Sequence, residues 1–220
     1  MTFDLQKHHR RSLRLKGYDY SQAGAYFVTV CAQDRACLFG DVVGDQMHVN
    51  DAGRILLSEW NTLPARFPAV ELDVFCIMPN HIHGIIVIAT VGAHGNGSGN
   101  GIVGAGLVPA PTLATAAGSG ATTRVAPTVS DTRPITDAGQ ARLPTLGDIV
   151  GAFKSLTTDF YIHGVKQSGW PAFRGRLWQR NYHEHIIRSD ESLQRIRQYI
   201  LDNPACWASD PENPQAGKKT

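Results

Sequence analysis

Residues 91–143 of this 220-residue chain hold ten of its 22 glycines, only five charged residues, and no Phe, Trp or Tyr. A stretch so poor in large apolar side chains cannot bury enough surface to offset its own ordering entropy, so it reads as a flexible insertion. Whatever folds must be assembled from the two flanks. Residues 1–90 and 144–205 are therefore expected to form one domain, with 206–220 as a C-terminal tail.

The flanks carry clear periodicities. Ala25 to Ala32 alternates as a strand, with Tyr26, Val28 and Val30 on one face and Phe27, Thr29 and Cys31 on the other. A short hairpin fits Val42 to Val49. Asn50 and Asp51 are good caps for a helix carrying Ala52, Ile55, Leu56, Trp60 and Leu63, which Pro64 and Pro68 should stop. Strands Val70 to Met78 and His81 to Ala89 follow, joined by the turn pair Pro79-Asn80. Beyond the insertion, Leu146, Ile149, Val150, Phe153, Leu156 and Phe160 mark a second amphipathic helix, with Lys154, Ser155, Thr157 and Thr158 on its polar side. A strand from Leu177 to Arg188 and a helix from Ser189 to Asn203 close the series, the helix capped by Ser189 and ended by Pro204. The order β-α-β-β-α-β-α predicts an α+β fold of the ferredoxin-like, split βαβ kind: an antiparallel sheet with helices packed on one face.

Hydrophobic residues make up 42% of the chain, and no apolar run reaches the length of a membrane span. The basic N-terminus lacks the apolar stretch of a secretory signal. Cys31, Cys37, Cys76 and Cys206 form no Cys-x-x-Cys pair and read as reduced, mostly buried thiols of a cytoplasmic protein. Net charge is only +2, but the cations are clustered. Lys7, Arg10, Arg11, Arg14 and Lys16 crowd one end, and Arg174, Arg176, Arg180, Arg188, Arg195 and Arg197 the other. Either cluster could meet phosphate or simply face water.

The chemistry gathers at two places. In PNHIHGII, His81 and His83 lie one residue apart on a strand, so both imidazoles share a face, about 7 Å apart at Cβ, and could converge on one ion. In RIRQYILDNP, Tyr199 and Asn203 share a helix face beside the apolar stripe Leu193, Ile196 and Ile200. Two imidazoles and an amide oxygen would make a neutral three-ligand site with positions left open on Mg²⁺ or Mn²⁺. Tyr182, His183 and His185 form a rival group that could be a separate metal site, supply the nucleophile through Tyr182, or line the same cleft. Nothing in the sequence marks a general base.

PNHIHGII, followed over a hundred residues later by WQRNYHEHIIRSDESLQRIRQYILDNP, resembles the HUH single-tyrosine transposases, and among them the REP-associated tyrosine transposases. RRSLRLKGYDYSQAGAYFVTVCAQDRACLFG and LGDIVGAFKSLTTDFY are similar to that family too, so the resemblance spans the chain apart from 91–143 and the tail. It implies His81 and His83 as metal ligands, Asn203 as the third, and Tyr199 as the nucleophile. Insertion-sequence relatives carry Gln where this chain has Asn203. It further implies cleavage of single-stranded DNA near hairpins through a 5′-phosphotyrosine, by a monomer or a homodimer. Arg10, Arg11, Arg14, Lys16, Lys154, Arg180, His185 and Arg188 are the expected DNA contacts. Two other readings stand beside it: a domesticated hairpin-binding protein that no longer cuts, and a metal-dependent hydrolase using His81, His83, His183 and His185.

Overall fold

The computed structural model describes residues 15, 17–90 and 143–216. The expected insertion, save its last residue Leu143, and the basic residues Lys7, Arg10, Arg11, Arg14 and Lys16 lie outside them. Four antiparallel strands form the main sheet in the order β4-β5-β1-β6: β1 Gly24–Cys31, β4 Val70–Ile77, β5 His81–Ile88 and β6 His183–Ile187. A separate hairpin pairs β2 Gly40–Val43 with β3 Gln46–Val49. Gly44 and Asp45 turn it with φ of 56° and 61°, the left-handed pair that matches strand twist.

Three helices pack on this sheet, and they do not share one face. Tyr26, Val28, Val30, Ile82, Ile86 and Ile88 point toward α1 (Asp51–Arg66) and α2 (Leu146–Ser168), building the larger core with Leu56, Trp60, Leu63, Ile149, Val150 and Phe153. The opposite face carries Phe27 and Ile85, which are covered by Ile200 of α3 (Asp190–Asp202), with Leu193 and Ile196 alongside. The expected single helical layer is thus corrected. The alternating side chains of β1 and β5 are apolar on both faces, so both need cover.

Local boundaries also differ from expectation. Pro64 sits inside α1, which runs on to Arg66; proline forfeits only its own N–H there, and Phe67 N–H still bonds the Leu63 carbonyl at 2.8 Å. In α2 the core takes Thr157 and Tyr161 while Phe160 faces solvent. Burying Thr157 is stable because its hydroxyl donates to Phe153 O at 2.7 Å and accepts from Trp178 Nε1 at 3.0 Å. The last strand covers only His183–Ile187. Its expected first half is irregular chain, pinned through Gln33 N–H to Leu177 O at 2.8 Å and Gln179 N–H to Cys31 O at 2.9 Å. The four cysteines are free; Cys37 and Cys206 are exposed and Cys31 and Cys76 half-buried, so none is a fully buried thiol. Among the described residues, no helix is long and apolar enough to cross a membrane.

Candidate metal and nucleophile site

Strand pleating and α3 docking together assemble the site. His81 and His83 face the α3 side of β5, beside Cys31 and Thr29 of β1. Both imidazoles are buried, and their Nε2 atoms lie 3.0 Å apart. Asn80 orients the first. Its Nδ2 donates to the carbonyls of Arg35 (3.1 Å) and Glu212 (2.7 Å), leaving Oδ1 to accept from His81 Nδ1 at 2.8 Å. Nδ1 of His81 therefore carries the hydrogen and Nε2 presents its lone pair to the cluster. His83 Nδ1 is held by the Thr29 hydroxyl at 2.8 Å.

Burial drives both imidazoles toward the neutral form. It lowers His81 to about 4, against the opposing pull of Glu212 and Asn203. It lowers His83 to about 2, helped by the charges of His81 and His183. Neutral imidazoles are the metal-binding form.

Tyr199 stands where α3 crosses this face. Its ring meets His83 at 5.3 Å between centroids and Phe27 at 6.0 Å. Half of the side chain remains exposed. Burial of the rest raises the phenol's pKa, and Asp210 raises it further; the Asn203 amide pulls the other way by favouring the phenolate. Asn203 is itself buried, one turn on from Tyr199, and its Oδ1 has no hydrogen-bond partner among the described residues.

One participant comes from the expected tail. Residues after α3 turn back through a short helical turn, Trp207–Ser209, and bring the buried Asp210 carboxylate to 3.9 Å from His81 Nε2. The ligand atoms of His81, His83 and Asp210 all lie within 4.8 Å of one another. Burial raises the carboxyl of Asp210. These donors fit a divalent cation: two neutral ring nitrogens, a carboxylate, and a buried amide oxygen that no described residue satisfies. No spacing rule links Asp210 to His83, 127 positions earlier, and the orienting roles of Thr29 and Asn80 also escaped sequence reasoning. Asn80 had at least a signal, since it directly precedes the first histidine.

The other anticipated contacts are scattered. Lys154 Nζ is engaged by the carbonyls of Gln179 (2.6 Å) and Arg180 (3.1 Å). Arg180 and Arg188 are exposed. His185 is exposed on edge strand β6, paired with Phe27, and so lines the same face as the site. His183 lies there too; Tyr182, by strand alternation, does not.

No family model matches the chain. Among solved structures, a REP-associated tyrosine transposase bound to a REP hairpin aligns with a TM-score of 0.45 and 14% identity, over 87% of this chain and 72% of that one. A candidate transposase from Deinococcus radiodurans aligns with a TM-score of 0.38 and 15% identity, over 86% and 95%. The sequence relation is stronger: an uncharacterized protein of Haemophilus influenzae is 35% identical over 206 residues, 92% of either chain. The chain belongs to the same family as that Haemophilus influenzae protein.

Proposed function

We propose that this protein cuts and rejoins single-stranded DNA beside hairpins, by transesterification on Tyr199 and with a divalent ion, Mg²⁺ or Mn²⁺, held by His81, His83 and Asn203. Asp210 offers a further oxygen to the same ion. The observation that carries this reading is the convergence of elements far apart in the sequence: the Tyr199 ring lies against His83, and the Asn203 amide acts on both His81 and Tyr199. The order of motifs in the sequence supports it as well.

A bound divalent ion would neutralise charge developing on the scissile phosphate. The chain's own residues do the rest. Asn80 and Thr29 fix the two imidazoles, and Phe27 and His83 hold the Tyr199 ring while its exposed half meets the strand. The phenol is protonated at neutral pH, so attack needs help, and Asn203 supplies part of it by favouring the phenolate. The exposed Arg180, Arg188 and His185 would meet the DNA, and the basic residues Arg10, Arg11, Arg14 and Lys16 belong to the same proposal.

Tyr199→Phe is the decisive variant. It keeps the ring and deletes the atom that would bond to phosphorus. Covalent adduct with a labelled hairpin oligonucleotide should vanish in denaturing gels, while binding of the same oligonucleotide persists. An adduct undiminished in Tyr199→Phe would place the nucleophile elsewhere, with Tyr182→Phe the next variant to make.

A further inference from the structure

The reaction proposed above leaves one proton without a donor. When phosphorus leaves the 3′ oxygen, that oxygen departs as an alkoxide unless something protonates it. Sheet register supplies a candidate. Thr29 is paired with His83 on one side and with His183 on the other, so the three side chains form one row on the α3 face. His183 is exposed, and β6 is the sheet edge, so a strand of DNA can reach it.

Three rings gather around Phe27 on this face. Tyr199 approaches Phe27 at 6.0 Å and His183 approaches it at 6.4 Å, both edge-on to its ring. His83, stacked on Phe27 at 5.4 Å, lies with Tyr199. The His183 imidazole makes no side-chain hydrogen bond among the described residues, and its influence on His83 is through charge. His183, exposed on the edge strand beside Phe27, is within reach of the DNA on either side of a phosphate seated at Tyr199 and the metal ligands. In-line displacement sends the leaving oxygen away from the attacking one, so its proton donor must be a group other than Tyr199. Histidine is the side chain that gives and takes a proton near neutral pH.

We propose that His183 is the general acid that protonates the departing 3′ oxygen, and the general base that takes the same proton back when strands are rejoined. The proposal rests on the transesterase reading. In cleavage the bond from Tyr199 Oη to phosphorus forms and the bond from phosphorus to O3′ breaks. The phenol proton passes to water, and the His183 proton goes to O3′, giving a free 3′-OH and a neutral imidazole able to accept that proton again. In joining, each transfer runs backwards.

A bridging 3′-sulfur tests this directly, because a thiolate leaves without needing a proton. The wild-type cleavage position on a hairpin oligonucleotide with unpaired flanks is mapped first, and sulfur then replaces O3′ at that bond. Both substrates are assayed in Mn²⁺ with wild type, His183→Ala and His183→Gln. Cleavage of the oxygen substrate should fall roughly hundredfold in both variants, a typical contribution of a positioned acid. Cleavage of the sulfur substrate should stay within about threefold of wild type. Equal loss on both substrates, or no loss on either, overturns the assignment of His183 while the nucleophile assignment stands. A wild-type protein that forms no adduct on any such hairpin overturns both.

Discussion

His81 and His83 carry a cost that can be measured without any substrate. Burial holds them at about 4 and about 2, whereas in an unfolded chain both take up a proton near pH 6.5. Between pH 6.5 and about 4 the unfolded chain therefore binds protons that the native protein does not. Stability contributed by these neutral imidazoles is fully present above pH 6.5 and is lost as pH falls through that window. With EDTA present to remove metal, the urea midpoint should fall steadily from pH 7 to pH 4. A His81→Gln, His83→Gln double variant should show a shallower fall, and an equal slope would mean that the pair is not the source. The two histidines themselves could be read from the sequence because a His-x-His on a strand shares a face. Their partners could not, since Thr29 and Asp210 are brought in by register and by a backward turn of the chain.

Each element docks through a feature that can be tested separately. α3 is fixed over the site by the stripe Leu193, Ile196 and Ile200, and by Arg197, whose Nε bonds both Asp73 oxygens of β4 at 3.0 and 3.1 Å. The stripe was legible as a 3.6-residue period. Which face of the sheet it would cover was not, because β1 and β5 are apolar on both sides and period 2 alone does not choose between them. On the other face α1 docks by laying Trp60 flat on β5. The indole stacks on Phe75 at 4.5 Å and fills the space where Gly84 has no side chain. A Cβ on Gly84 would come within 2.6 Å of two Trp60 ring carbons. The ring cannot withdraw easily, being packed edge-on against Phe153 of α2. Gly84→Ala should therefore destabilise the protein by about 1–3 kcal/mol, as overpacking does, in urea unfolding monitored by tryptophan fluorescence. A change below about 0.5 kcal/mol, the range of an ordinary surface substitution, would show that α1 can shift on the sheet at little cost.

At the scale of the whole molecule, the sheet order decides what can be removed. β6 lies after the 91–143 segment, yet it pairs with β1, the first strand of the chain. α2, also after the segment, shares a core with α1, which precedes it. The two flanks thus form a single sheet and a single main core, and neither can bury its apolar face alone. The expected insertion rests on composition alone: large apolar side chains are dense on both sides of 91–143 and sparse within it. Closing a loop of about 50 residues instead of a short one costs little entropy, since the cost grows only with the logarithm of length. Replacing residues 95–140 with a short Gly-Ser linker should therefore keep the unfolding transition single and move its midpoint slightly upward, and the adduct formation proposed for Tyr199 should continue at the parental rate. Circular dichroism melts and the labelled-oligonucleotide assay read the two outcomes independently. Loss of the cooperative transition would show that the segment supplies part of the core. A normal melt with lost adduct would instead mean that residues 95–140 touch the DNA.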